Sequence, residues 1–148
     1  MRVMMMLKAD KNTEAGGTPG KEHLAEMGRL IEDMAKAGVL LAAEGLQPSS
    51  KGKRLKFSGG KITSVTDGPF TETKELIAGF CMIQANSWDE VMTWSERFAA
   101  VEGNGETELR PLFEASDFPE DVFPAEDAAR EQALREELQR KAGKAAAY

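Results

Sequence analysis

A chain of 148 residues with 41% hydrophobic and 30% charged side chains suits one domain with a true core and a solvated surface. A net charge of −6 argues against a dedicated nucleic-acid binder, and the small basic cluster Lys51, Lys53, Arg54 and Lys56 reads as a solvated hairpin edge rather than a phosphate track. The single cysteine, Cys81, excludes an intrachain disulfide, and the single histidine, His23, excludes a multi-histidine metal site within one chain; neither a CxxC nor an HExxH pattern occurs.

Arg2 to Leu7 is a continuous apolar run, too short for a signal peptide or a membrane span, and its polar sequel favours a strand. With no export signal in view, a cytoplasmic protein without a membrane partner is the expectation. Lys8 to Thr18 reads as a loop containing Gly16-Gly17. Thr18 is placed to cap a helix that starts at Pro19. Leu24, Met27, Ile31 and Met34 recur at helical spacing and form one apolar stripe, with methionines read as core filler, and Gly38 ends the helix. Val39 to Leu46 is the second strand. Glu44 interrupts it, either on a solvated face or in a pocket on the sheet, and Gly45 beside it signals a close backbone approach.

Gln47-Pro48-Ser49-Ser50 leaves the sheet. Arg54 to Ser58, Gly59-Gly60 and Lys61 to Thr66 then read as a β-hairpin, with Leu55, Phe57, Ile62 and Val65 as its apolar residues. Asp67-Gly68-Pro69 is a strong turn signal, followed by Phe70 and a dense polar run from Thr71 to Glu75. Leu76 to Ala85 is the most hydrophobic strand and is placed centrally. Cys81 lies within it and is read as a buried structural thiol.

Ser87-Trp88-Asp89-Glu90 is a capping box for a second helix from Trp88 to about Ala100, with Val91, Trp94 and Phe98 on its buried stripe. Glu106 to Glu114 is the last strand and holds Arg110. Asp117 to Pro124 is a linker. Ala125 to Ala142 is a helix by propensity, with Glu136–Arg140 and Glu137–Lys141 as i,i+4 pairs and a thin stripe at Leu134 and Leu138; the tail from Lys144 to Tyr148 is expected to fray. The order β, α, β, hairpin, β, α, β makes two βαβ-like halves with helices on one sheet face: an α+β, ferredoxin-like layout with an added hairpin and a C-terminal helix.

Asp67-Gly-Pro-Phe-Thr-Glu-Thr-Lys-Glu75 with Leu76-Ile-Ala-Gly-Phe80 resembles the signature of the DGPF group of YCII-related proteins. Ala37 to Gly52, Phe57 to Gly60 and Glu108 to Pro111 resemble the flanking segments of that group. The resemblance runs from Met1 to Phe118, which defines a domain over residues 1–118 and a linker with a helical extension over 119–148. It implies an antiparallel ferredoxin-like sheet that pairs as a dimeric α+β barrel, hence a homodimer, and it implies no single activity. Many relatives carry histidine where this chain has Gln47, a residue that orients a ligand but moves no proton near neutral pH.

On that resemblance a pocket would lie between one sheet face and the loops at Lys8, Gln47 and Asp67, lined by Glu44, Gln47, Asp67, Phe70, Glu72, Lys74, Phe80, Trp94 and Arg110. One reading is an enzyme acting, without metal or cofactor, on a small and anionic organic molecule. Asp67 is then the acid or base, against an alternative in which it only ties the turn, and Lys74 or Arg110 holds a carboxylate. His23, at a helix start, is a weaker acid–base candidate. A second reading is a non-catalytic ligand-sensing module linked to transcription control, since no complete catalytic constellation is visible. A purely structural dimer is the third and least favoured, because the polar residues around Asp67 exceed what a turn needs.

Overall fold

The computed structural model describes residues 1–145, with side chains described through Lys141. The expectation for the chain's tail falls, from Ala146 on, outside the described residues. The chain divides into two compact units, Met1–Leu112 and Phe113 onward, whereas the resemblance placed the boundary after Phe118.

The first unit runs β1 (Arg2–Lys8), α1 (Lys11–Glu14), α2 (Lys21–Lys36), β2 (Leu40–Gly45), β3 (Lys53–Ser58), β4 (Lys61–Asp67), β5 (Ile77–Gln84), α3 (Trp88–Glu102) and β6 (Thr107–Pro111). Four strands form one antiparallel sheet in the order β2-β5-β1-β6, the ferredoxin-like order. The hairpin β3–β4 stands apart as its own two-stranded sheet, and its turn residues Gly59 and Gly60 both take positive φ, the primed geometry that suits strand twist.

Strand register sorts the side chains by face. Val3 lies opposite Ile83, and Met5 opposite Cys81 and Leu109. These residues pack with Leu30 and Met34 of α2 and Val91 of α3 into the buried core. Full burial of Val3, Ile83 and Val91 contributes roughly 1.5–3 kcal/mol each. The other face carries Met4 opposite Met82 and Met6 opposite Phe80; Arg110 lies beside Met4 and Glu44 beside Phe80.

Three local details differ from the sequence reading. Within the expected loop, Asp10 caps the single turn α1 by accepting from the Thr13 amide at 2.7 Å, and Thr13 Oγ1 accepts from the Asp10 amide. One turn is too short for periodicity to reveal. The α2 helix begins after the extended Gly20 with no side-chain cap, two residues later than Thr18 and Pro19 implied. Ser87 does cap α3, accepting from the Glu90 amide at 3.2 Å, but the Glu90 carboxylate reaches one residue further back, to the amide of Asn86.

In the second unit, Phe118 sits between Phe113, tilted against it with ring centroids 5.1 Å apart, and Phe123, edge-on at 5.9 Å. The helix α4 (Ala125–Ala145) follows. Lys141 pairs with Glu137 at 2.6 Å, while Glu136 accepts from Gln132 rather than pairing with Arg140. Leu134 and Leu138 are exposed on it. No helix among the described residues is long and apolar enough to cross a membrane.

Candidate functional site

A cavity of about 520 Å³ opens between the sheet and the helices of the first unit, within the size range of small-molecule sites. Its origin is a lack of side chains. Ala43, Gly45 and Gly79 stand on the helix-facing side of β2 and β5, and the register sets Gly45 directly against Gly79. Two glycines and an alanine leave the sheet bare where α2 passes over it. Gly79 cannot be larger: a Cβ there would sit 2.9 Å from the Glu44 carbonyl oxygen. A Cβ at Gly45 would meet nothing within 4 Å, so its side of the cavity is open space.

The walls come from Leu24, Met27 and Ile31 of α2, Phe98 of α3, and Met5 and Leu7 of β1. The loop Gly16–Pro19 and the segment Leu46–Pro48 close its edges. Cys81 also borders it; burial pushes that thiol up to about 11 from the ordinary 9.0, so it stays protonated and is a poor nucleophile.

One polar pair marks the cavity. His23, in the first turn of α2, presents Nε2 to the Glu102 carboxylate of α3 at 3.4 Å, and both side chains are partly buried. Both residues line the cavity. A carboxylate beside one imidazole nitrogen is an arrangement that can orient the ring and leave its other nitrogen for a bound molecule. Thr13, Thr18 and Gln47 add neutral hydrogen-bonding groups. Among the described residues no lysine or arginine lines the cavity, and no cluster of three or more His, Cys, Asp or Glu side chains is arranged to hold a metal ion.

Of the residues singled out from sequence, Gln47 borders this cavity, as do Glu44 and Phe80, although the register turns the side chains of those two to the other sheet face; Asp67, Phe70, Glu72, Lys74, Trp94 and Arg110 do not border it. Asp67 ends β4, where its carboxylate pairs with Lys53 across the hairpin and is about three-quarters exposed. Phe70 lies under the Arg54 guanidinium, 4.0 Å from its ring centre. Glu72 precedes a single 3₁₀ turn that contains Lys74. Trp94 packs against the core beneath Arg97, and Arg110 is exposed on β6. His23 reaches the cavity although it was the weaker acid–base candidate. Glu102 carried no signal, because only the packing of α3 on α2 brings it to His23.

The Asp67–Phe70 turn has a different task. A Cβ at Gly68 would lie 1.7 Å from the Ser49 carbonyl oxygen, so only glycine lets the turn press onto the Pro48–Gly52 loop. The Gly68 amide donates to the Gly52 carbonyl at 3.0 Å, and the Phe70 amide donates to Ser49 Oγ at 3.0 Å. Ser49 in turn donates to Glu14 of α1 through its hydroxyl, and through its amide at 3.0 Å. The turn thereby ties together the two segments whose neighbours, Thr13 and Pro48, edge the cavity.

A ferredoxin-like α+β domain with a cavity between its helices and sheet is the class of protein these features define. The chain belongs to the YCII-related domain family, whose model matches residues 1–116. It is 38% identical over 78 residues to an uncharacterized protein of Rhizobium meliloti (strain 1021), an alignment covering 52% of this chain. The chain spans 62% of the length of that curated relative. Among solved structures it is similar to the 5-chloro-2-hydroxyhydroquinone dehydrochlorinase TftG from Burkholderia phenoliruptrix AC1100 in complex with 2,5-dihydroxybenzoquinone. That likeness has a TM-score of 0.42 and 14% identity, and covers 80% of this chain and 100% of that one.

Proposed function

We propose that this protein binds a small organic molecule in the cavity between α2 and the sheet, and that His23, oriented by Glu102, exchanges a proton with it. The observation that carries this reading is the His23–Glu102 pair at the border of a predominantly apolar cavity. Nδ1 of His23 takes a proton from an O–H or acidic C–H of the bound molecule and returns it elsewhere on the same molecule, a step that needs no metal in the balance. The apolar surround strengthens the interaction between imidazole and carboxylate. A ligand-sensing role at the same cavity is the second reading. It is favoured by the mostly apolar lining of the cavity and by the placement of Asp67 away from it, at an exposed ion pair.

The working form is a cytoplasmic homodimer. Its support is the sheet face bearing Met4, Met6, Phe80 and Met82, which are half-buried and apolar and gain by covering. Native mass spectrometry of the full chain tests the proposal. A dimer carrying a co-purified small molecule is expected, with the molecule lost in Gly45→Leu. Retention of that molecule when the cavity is filled would overturn the assignment to this cavity.

A further inference from the structure

The chemistry of the cavity wall defines the class of molecule it accepts. The titratable side chains on the helix side of the cavity are His23, Glu102 and the Cys81 thiol; Glu44 also borders it, but the register turns its carboxylate to the other sheet face. Even a protonated His23 is neutralised by Glu102 at 3.4 Å. The first turn of α2 offers a partial positive charge from its dipole, but Glu22 stands in that turn and Glu102 beside it. The cations that would have anchored a carboxylate, Lys74 and Arg110, border other parts of the fold. An anion entering this space would leave water, gain no lysine or arginine partner and face the Glu102 carboxylate, each a penalty. An apolar molecule would instead cover Leu24, Met27, Ile31 and Phe98.

Resting on the ligand-binding reading above, we infer that the cavity takes an uncharged, predominantly apolar molecule that turns a single hydrogen-bonding group toward His23, and that it excludes carboxylates and phosphates. Thr13, Thr18 and Gln47 are neutral partners for a second polar group at the edge. The gap above Gly45 and Gly79 suits a flat or unbranched skeleton, because the sheet there presents backbone alone.

The test is a matched pair of fluorescent probes titrated into the full chain: N-phenylnaphthylamine, which is uncharged, and anilinonaphthalene sulfonate, which adds one anionic group to the same skeleton. The expected result is that the uncharged probe binds at least about tenfold more tightly, and that Gly45→Leu abolishes this binding. Leu24→Trp provides a second way to fill the cavity should Gly45→Leu fold poorly. Equal or tighter binding of the sulfonate, with both probes lost in the filled variants, would overturn the inference about charge while leaving the cavity as a ligand site. Binding of neither probe to well-folded protein, or binding indifferent to both substitutions, would overturn the cavity reading itself and this inference with it.

Discussion

His23 and Glu102 reach one another from the first turn of α2 and the last turn of α3, and the proton chemistry proposed for this protein rests on that meeting. With a substrate in hand, His23→Gln is expected to lower turnover by about 10²–10⁴-fold, the usual share of a positioned acid–base group, and Glu102→Gln by less, because it removes orientation but leaves the imidazole. Asp67→Asn, at an exposed hairpin pair, is expected to leave turnover unchanged; steady-state kinetics of the three variants decide among them. Cys81 supplies a pH-dependent check on the core. Its thiol is raised to about 11 in the folded state, so folding favours the protonated form. The stability this contributes is fully present below pH 9.0 and is lost as pH rises toward 11, and denaturant midpoints measured across that window are expected to fall. Alkylation of Cys81 at neutral pH is expected to be slow in the folded protein and rapid in denaturant. At this scale the sequence was informative about residue types and silent about pairs. Gln47 and Glu44 stood out by their neighbours in the chain, whereas Glu102 acquires meaning only through helix packing.

The Asp67–Phe70 turn is the element where local chemistry was readable and its purpose was not. Gly, Pro and Asp announced a turn, yet the partner loop against which Gly68 presses lies well upstream at Ser49. Gly68→Ala places a methyl group inside the Ser49 carbonyl and is expected to cost on the order of 3 kcal/mol or more, read as a drop in melting temperature. Ser49→Ala leaves the Phe70 amide and the Glu14 carboxylate without their hydroxyl partner and is expected to cost about 1–3 kcal/mol, with faster hydrogen exchange around Thr13 and Pro48. Gly45→Leu, by contrast, meets open space and is expected to leave the unfolding free energy within about 1 kcal/mol of the parent while filling the cavity. Strands and long helices were legible because apolar runs and a Leu24-Met27-Ile31-Met34 stripe follow the periods of those structures. The four-residue α1 and the late start of α2 were not, since neither leaves a period to read. The cavity itself could not be seen from residue types, because a floor made of Gly45 opposite Gly79 exists only once β2 and β5 are paired.

For the molecule as a whole, the two sheet faces divide the proposed roles: ligand binding beneath the helices, and self-association through Met4, Met6, Phe80 and Met82. Light scattering is expected to give twice the 16.1 kDa chain mass, and Met82→Glu to shift it toward the monomer, because a charge buried in an apolar contact has no partner. The methionines also report which sheet face a ligand occupies. Met5, Met27 and Met34 line the cavity, whereas Met4, Met6 and Met82 belong to the opposite face or its strands. With methyl groups of methionine carbon-13 labelled and N-phenylnaphthylamine added to the full chain, the cavity account predicts shifts at Met5, Met27 and Met34 and none at Met4, Met6 and Met82. Shifts confined to Met4, Met6 and Met82, or no shift at any methionine, would contradict it.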